Sequence, residues 1–152
     1  MPTEEFRDTF RVVAPPALVF AHLTDPHSYI GLSPLVVAVR DVHPTLDGQG
    51  REAVAYVAVE RFRFGPVKWD NPIRVTLTGV GPHEQVISAV VSPGGVRLRL
   101  VVDLVADGDG TAVTESGELH APWPLRRFAL GQAKAVQRKR AAELARRMAL
   151  AG

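Results

Sequence analysis

The chain contains no cysteine. Disulfide staples, thiolate metal sites and a cysteine nucleophile are therefore excluded. Aromatic residues are scarce, at 7% of 152 residues, with two Trp and two Tyr. No apolar run approaches the ~18 residues of a membrane span, so none is expected. The opening Met1-Pro2-Thr3-Glu4-Glu5 is acidic and has no apolar stretch behind it, unlike a secretory leader, and the cytoplasm is the expected location. Metal-ligand spacing is missing too. His22, His27, His43, His83 and His120 form no HExxH or similar pair, and neither a metal nor another cofactor is expected. There is no G-x-S-x-G and no recognisable triad, and Gly94-Gly95 reads as a turn rather than a phosphate loop. Asp107-Gly108-Asp109-Gly110 opens like a calcium loop but lacks the later acidic ligands, so it reads as a hairpin turn.

What is present is a globular balance of 46% hydrophobic and 22% charged residues, at a length that fits one domain spanning 1–152. The net charge of +2 hides an asymmetry. Residues 122–152 carry eight Lys/Arg against Glu143 alone, a net of +7, while residues 1–121 carry ten Lys/Arg against fifteen Asp/Glu, a net of −5. The C-terminal segment is thus expected to be drawn to the remainder by field as well as by burial.

Turn residues divide the chain into short elements. Phe6–Val13 alternates Phe6, Phe10 and Val12 against Arg7, Thr9 and Arg11, the period of a strand. Pro15-Pro16 ends it, and Val19, Phe20 and Leu23 take up helical spacing over Ala17–Leu23. Asp25 as N-cap and Pro26 at the first position start a second short helix that stops before Ser33-Pro34. The period then returns to about two. Strands are expected over Leu35–Val42, Arg51–Phe64, Ile73–Thr78, Glu84–Ser92, Val96–Ala106 and Thr111–Ala121, with Lys68-Trp69-Asp70-Asn71-Pro72 as a loop. Pro122-Trp123-Pro124 breaks the sheet ahead of a final helix, Leu125–Ala151, about 40 Å long. Its apolar side holds Leu125, Phe128, Ala129, Val136, Leu144 and Met148, and its opposite side is basic. Short turns imply an antiparallel sheet with one polar face, covered on the other by helices. The class is α+β, with a curved antiparallel sheet of about seven strands wrapped on the long helix.

Strand parity identifies the polar groups that point inward. If Arg61 and Arg63 face water, then Val54, Tyr56, Ala58, Glu60, Phe62 and Phe64 face the helix. On the last strand, Val113 and Leu119 set a parity that Glu115 shares. Glu60 and Glu115, with Tyr56, are therefore the catalytic candidates, as carboxyls that desolvation would prime for acid/base work. The competing reading puts both carboxyls at strand ends reaching water, or reverses their parity by a bulge. Arg140 shares the helix sector of Phe128, Gln132, Val136 and Leu144. It either pairs an inward carboxylate or anionic ligand, or snorkels to solvent. Trp69 and Trp123 are candidate stacking residues or packing residues. His27 and Tyr29 either flank an entrance or lie on the surface, and His22 reads as a helix-surface residue.

The run Phe10-Arg11-Val12-Val13-Ala14-Pro15-Pro16-Ala17-Leu18-Val19-Phe20-Ala21-His22-Leu23-Thr24-Asp25-Pro26 resembles the START-related helix-grip superfamily (SRPBCC), and the element order extends that resemblance along the chain. The superfamily includes polyketide cyclases, lipid-transfer domains and the birch-pollen-allergen type. The resemblance implies an apolar cavity between sheet and long helix for a lipid-like, aromatic or polyketide molecule, lined here by Tyr56, Glu60, Phe62, Trp69, Glu115, Phe128, Gln132 and Arg140. A fold of this kind hosts binders and enzymes alike. The leading expectation is a binding protein for a small hydrophobic or aromatic molecule. The alternatives are a cyclase-, aromatase- or dehydratase-type enzyme and a protein that interacts through the basic helix. Nucleic acid is not an expected partner, because no aromatic platform accompanies the basic charges.

Overall fold

The computed structural model describes residues 3–151. Met1, Pro2 and Gly152, which the leader reading and the 1–152 span include, lie outside the described residues. The elements are β1 (Glu4–Val12), α1 (Pro16–Leu23), α2 (Tyr29–Leu32), β2 (Val36–Leu46), β3 (Glu52–Phe64), β4 (Val67–Val80), β5 (Gln85–Ser92), β6 (Val96–Asp107), β7 (Gly110–His120) and α3 (Arg126–Ala151). Short 3₁₀ turns at Pro26–Ser28 and Trp123–Leu125 lead into α2 and α3.

The seven strands form one antiparallel sheet in the order β1-β7-β6-β5-β4-β3-β2. Five strand connections are therefore hairpins between neighbours. The exception joins β1 to β2, the two edges, and this is where the sequence places its helices. Pro15 is the N-cap of α1 and Pro16 its first residue, at which proline's missing N–H costs no helical bond. The Asp25 side chain accepts the His27 N–H at 3.1 Å and caps the next turn.

Four local expectations are corrected. The second short helix is broken, because Ile30 is extended and Gly31 sits at φ +77°. Residues 68–72 are strand rather than loop: β3 turns at Gly65-Pro66 and β4 returns at once, pairing Phe64 with Val67 and Phe62 with Trp69. Gly65 at φ +60° followed by proline suits a glycine-first two-residue hairpin. Pro72 is tolerated because pairing of β4 with β5 begins only at Arg74, which leaves Pro72 on an edge. β2 runs to Leu46 through two register shifts, with Asp41 at φ +56°. The last helix begins at Arg126, one residue later than expected.

The core is off-centre. Val12, Val19, Leu23, Leu32, Val75, Leu77, Val86, Val102, Val113, Leu144 and Met148 form a packed cluster under the C-terminal half of α3. A second, smaller cluster of Phe6, Leu100 and Leu119 meets Ala129, Leu130 and Ala133 from the N-terminal half. Gly117 lies beneath the Phe6 ring, in space that a Cβ would occupy. Between the first half of α3 and strands β3 to β5 the interior is not filled.

A cavity between the long helix and the sheet

Two rows of side chains set the axis of this unfilled space. Along β3, Tyr56, Ala58, Glu60, Phe62 and Phe64 share one face, and successive same-face residues are about 6.6 Å apart. Exposure rises along that face from 4% at Tyr56 to 60% at Phe64. Along α3, Phe128, Gln132, Val136, Arg140 and Leu144 recur every fourth residue on one stripe. Exposure falls along this stripe from 60% at Phe128 to 2% at Leu144. The rows run in opposite directions in sequence and the same direction in space. They bound a cavity of about 560 Å³ with a mouth near Phe64, Trp69, Leu125 and Phe128 and a closed end near Tyr29, Tyr56 and Arg140. The volume lies within the ~300–1,000 Å³ of small-molecule sites, and most of the lining is apolar.

At the mouth, the Phe62 and Trp69 rings lie 5.6 Å apart as a cross-strand pair. Behind Trp69, on the outer face, Arg61 and Asp70 form a two-pronged ion pair at 2.8 and 3.0 Å that ties β3 to β4. Midway along the cavity stands Glu60. Burial pushes its carboxyl above the ordinary glutamate range, and a 3.5 Å hydrogen bond from Asn71 Nδ2 only partly opposes this. Asn71 also donates to Ser92 Oγ at 3.3 Å, so the side chains of three strands meet at this point.

At the closed end, Arg140 forms a buried ion pair with Glu115 and donates to Ser33 Oγ at 3.3 Å. The pair is shielded, with side-chain exposures of 11% for Arg140 and 4% for Glu115. Burial disfavours the charged guanidinium, but the adjacent Glu115 carboxylate outweighs it and the Arg140 pKa is raised. Burial likewise raises the pKa of both Tyr29 and Tyr56, keeping the phenols protonated. The Tyr29 hydroxyl donates to the Leu23 carbonyl at 2.7 Å, which fixes its ring 6.5 Å from that of Tyr56.

Of the residues singled out from sequence, Tyr56, Glu60, Phe62, Trp69, Phe128, Gln132 and Arg140 line the cavity. Glu115 does not. It sits behind Arg140 in a small adjoining void with Phe10, Val113 and Leu144, and Gln137 Nε2 donates to its backbone carbonyl at 3.2 Å. Trp123 is exposed outside the lining, and His27 is exposed. Tyr29 is a wall residue rather than a surface one. His22 is not a plain surface residue either, since its Nε2 lies 3.2 Å from Arg147 Nη1 and burial lowers its pKa. Ser33, Ser88, Asn71 and Ser92 complete the polar lining and were not singled out. Parity would have found the two β5 serines, which alternate inward with Val86 and Val90. Tyr29 had no such signal, because its helix breaks at the next residue.

The basic helix is partly neutralised by its own fold. Glu143 takes bonds from Arg146 and Arg147, which hold its carboxyl down at about 2. Among the described residues, Arg140–Glu115 is the one salt bridge linking α3 to the sheet. The Asp107–Gly110 turn is a hairpin, and Asp107 and Asp109 form salt bridges with Arg11. Among the described residues there is no cluster of metal-ligating side chains, and no helix is long and apolar enough to cross a membrane.

Comparison with known proteins agrees with the architecture. A START superfamily protein from Mycobacterium smegmatis superposes with a TM-score of 0.70 at 12% identity, covering 97% of this chain and 99% of that one. The Zhui aromatase/cyclase from Streptomyces sp. R1128 gives 0.67 at 15% identity over 96% of both chains. A conserved protein from Geobacillus kaustophilus gives 0.67 at 19% identity, over 96% of this chain and 95% of that one. At such identities the likeness is one of START-type helix-grip fold. No match was found among curated proteins. The family model described as polyketide cyclase/dehydrase and lipid transport matches residues 3–150, and with the sheet, long helix and cavity in place the chain belongs to that family.

Proposed function

We propose that the protein binds a small, mainly hydrophobic or aromatic molecule, lipid-like or polyketide-like, in the cavity between β3–β5 and α3. The observation that carries this reading is the cavity itself: about 560 Å³, largely apolar, reaching solvent past exposed aromatic side chains. Protein interiors are normally packed to near-crystalline density, so an open, mostly apolar space of this size supports a role in holding a small molecule. Phe62 and Trp69 offer ring faces for stacking, and Gln132 and Asn71 offer polar contacts along the wall. Native mass spectrometry of freshly purified protein tests the reading, supported by a thermal-shift screen against fatty alcohols, ketones and polycyclic aromatics. Co-purifying mass, or stabilisation that saturates at one equivalent, is the expected result. Indifference to every apolar compound overturns it.

A second reading, an enzyme of the cyclase, aromatase or dehydratase type, is favoured by one observation. Glu60 is a carboxyl facing the cavity whose pKa is raised by burial and which has no cationic partner among the described residues, the kind of environment that primes a general acid or base. The family description and the aromatase/cyclase relative point the same way. In this reading Glu60 moves the proton, the Tyr56 phenol holds the reacting oxygen, and Glu115 positions Arg140. Turnover of a poly-β-ketone that survives Glu60→Gln overturns the role of Glu60.

A further inference from the structure

The closed end of the cavity differs chemically from the rest. Tyr56 is 96% buried by its 4% exposure and lines the cavity, yet its hydroxyl has no hydrogen-bond partner among the described residues. The hydroxyl is not among the fully sealed polar atoms, so it opens onto the cavity and can donate into it. The Arg140 guanidinium has five N–H groups. Among the described residues it makes two hydrogen bonds, to Ser33 and Glu115, and it too lines the cavity. Two donors with spare capacity therefore converge where the apolar walls end.

Charge decides what they take. The groups facing this end are Arg140, the two protonated phenols Tyr29 and Tyr56, and the Ser33 and Ser88 hydroxyls; behind Arg140, Glu115 neutralises it and takes the Gln137 amide on its carbonyl. An anionic head would enter a site whose positive charge is already balanced, next to the Glu115 carboxylate. On its way it would pass Glu60. A cationic head would meet the guanidinium. A neutral acceptor oxygen pairs both donors and leaves no charge uncompensated.

We propose that the cavity takes its ligand head first and selects a neutral carbonyl, such as a ketone, quinone or enone, held by Tyr56 and Arg140, while rejecting carboxylates of the same shape. This rests on the hydrophobic-ligand reading above and specifies its ligand class. The apolar body of the ligand lies along Ala58, Val136 and Phe62 toward the mouth. Fatty acids are excluded by this selection, although their chains would suit the walls.

The test uses the intact chain and three matched probes in calorimetric titration at neutral pH: fluorenone, its hydrocarbon fluorene, and fluorene carboxylate. Fluorenone is expected to bind, and Tyr56→Phe to weaken it by about fivefold, the loss of one hydrogen bond. The same substitution leaves fluorene affinity unchanged. Its thermal midpoint stays at or above that of the parent, because the hydroxyl it removes has no partner. The carboxylate is expected to bind at least about a hundredfold more weakly than fluorenone, the cost of a buried unpaired charge. Equal binding of carboxylate and ketone, or fluorenone affinity indifferent to Tyr56→Phe, overturns the inference while the hydrophobic cavity stands. Failure of all three probes, the hydrocarbon included, overturns the cavity reading and this inference with it.

Discussion

The two ends of α3 are built from similar residues and do opposite things. Phe128 at one end and Leu144 at the other lie on the same stripe, yet Phe128 is largely exposed and Leu144 is sealed. The difference is in what the sheet and the short helices bring to meet them. Under Leu144, α1 and α2 fill the concave face with Val19, Leu23 and Leu32, and the helix closes on a dry core. Under Phe128 no helix among the described residues crosses the sheet, β3 and β4 run on past β5, and the walls stand apart. Stability is therefore concentrated at one end, and the binding space at the other. Arg140 marks the boundary, where the packed core gives way to the cavity.

Substitutions that contrast the two ends sharpen this picture. The largest effect is expected at the boundary. Arg140→Leu leaves Glu115 as a buried charge without a partner and should cost about 4 kcal/mol, with Arg140→Leu and Glu115→Leu together recovering most of it. Chemical denaturation of the single and double variants measures both. Next, Leu144→Ala opens a hole in the packed end and should cost about 3 kcal/mol. In the same assay Phe128→Ala should stay within about 0.5 kcal/mol and lower ligand affinity instead. Equal losses at the two positions would break the comparison. Gly117→Ala drives a methyl into the Phe6 ring and should cost about 2 kcal/mol through overpacking, read as a lowered thermal midpoint.

The smallest effect concerns pH. Glu60 has a folded-state pKa raised above its ordinary 4.5, so the native state holds the proton more tightly than the unfolded chain does. Well below 4.5 the group is protonated in both states and costs nothing. Its penalty grows as pH rises through the ordinary value toward the raised one, and is complete above it. Glu60→Gln should therefore be more stable than the parent at neutral pH, and the gap should close in acid. A gap that stays constant with pH would remove burial of the charge as its cause.

Much of the fold was legible because its signals are local. Two prolines and a capping aspartate locate the connection from β1, alternation fixes which face of β3 and β7 points inward, and the spacing of Leu144 and Met148 locates the buried face of α3. These depend on period and backbone geometry, which each residue carries with it. The loop expected at residues 68–72 failed because Pro72 signals a break only inside a sheet, and whether it lies inside or on an edge depends on how far β5 extends. The candidate site divides in the same way. Parity brought Tyr56, Glu60 and Phe62 toward the interior, and helical spacing put Arg140 on the stripe of Phe128 and Leu144. Only tertiary structure decided that Glu115 lies behind Arg140 and off the cavity, that Tyr29 forms part of its wall, and that the space under Phe128 stays open. A sequence specifies which way each side chain points. How far apart two facing surfaces stand is a property of the elements that do or do not pack between them.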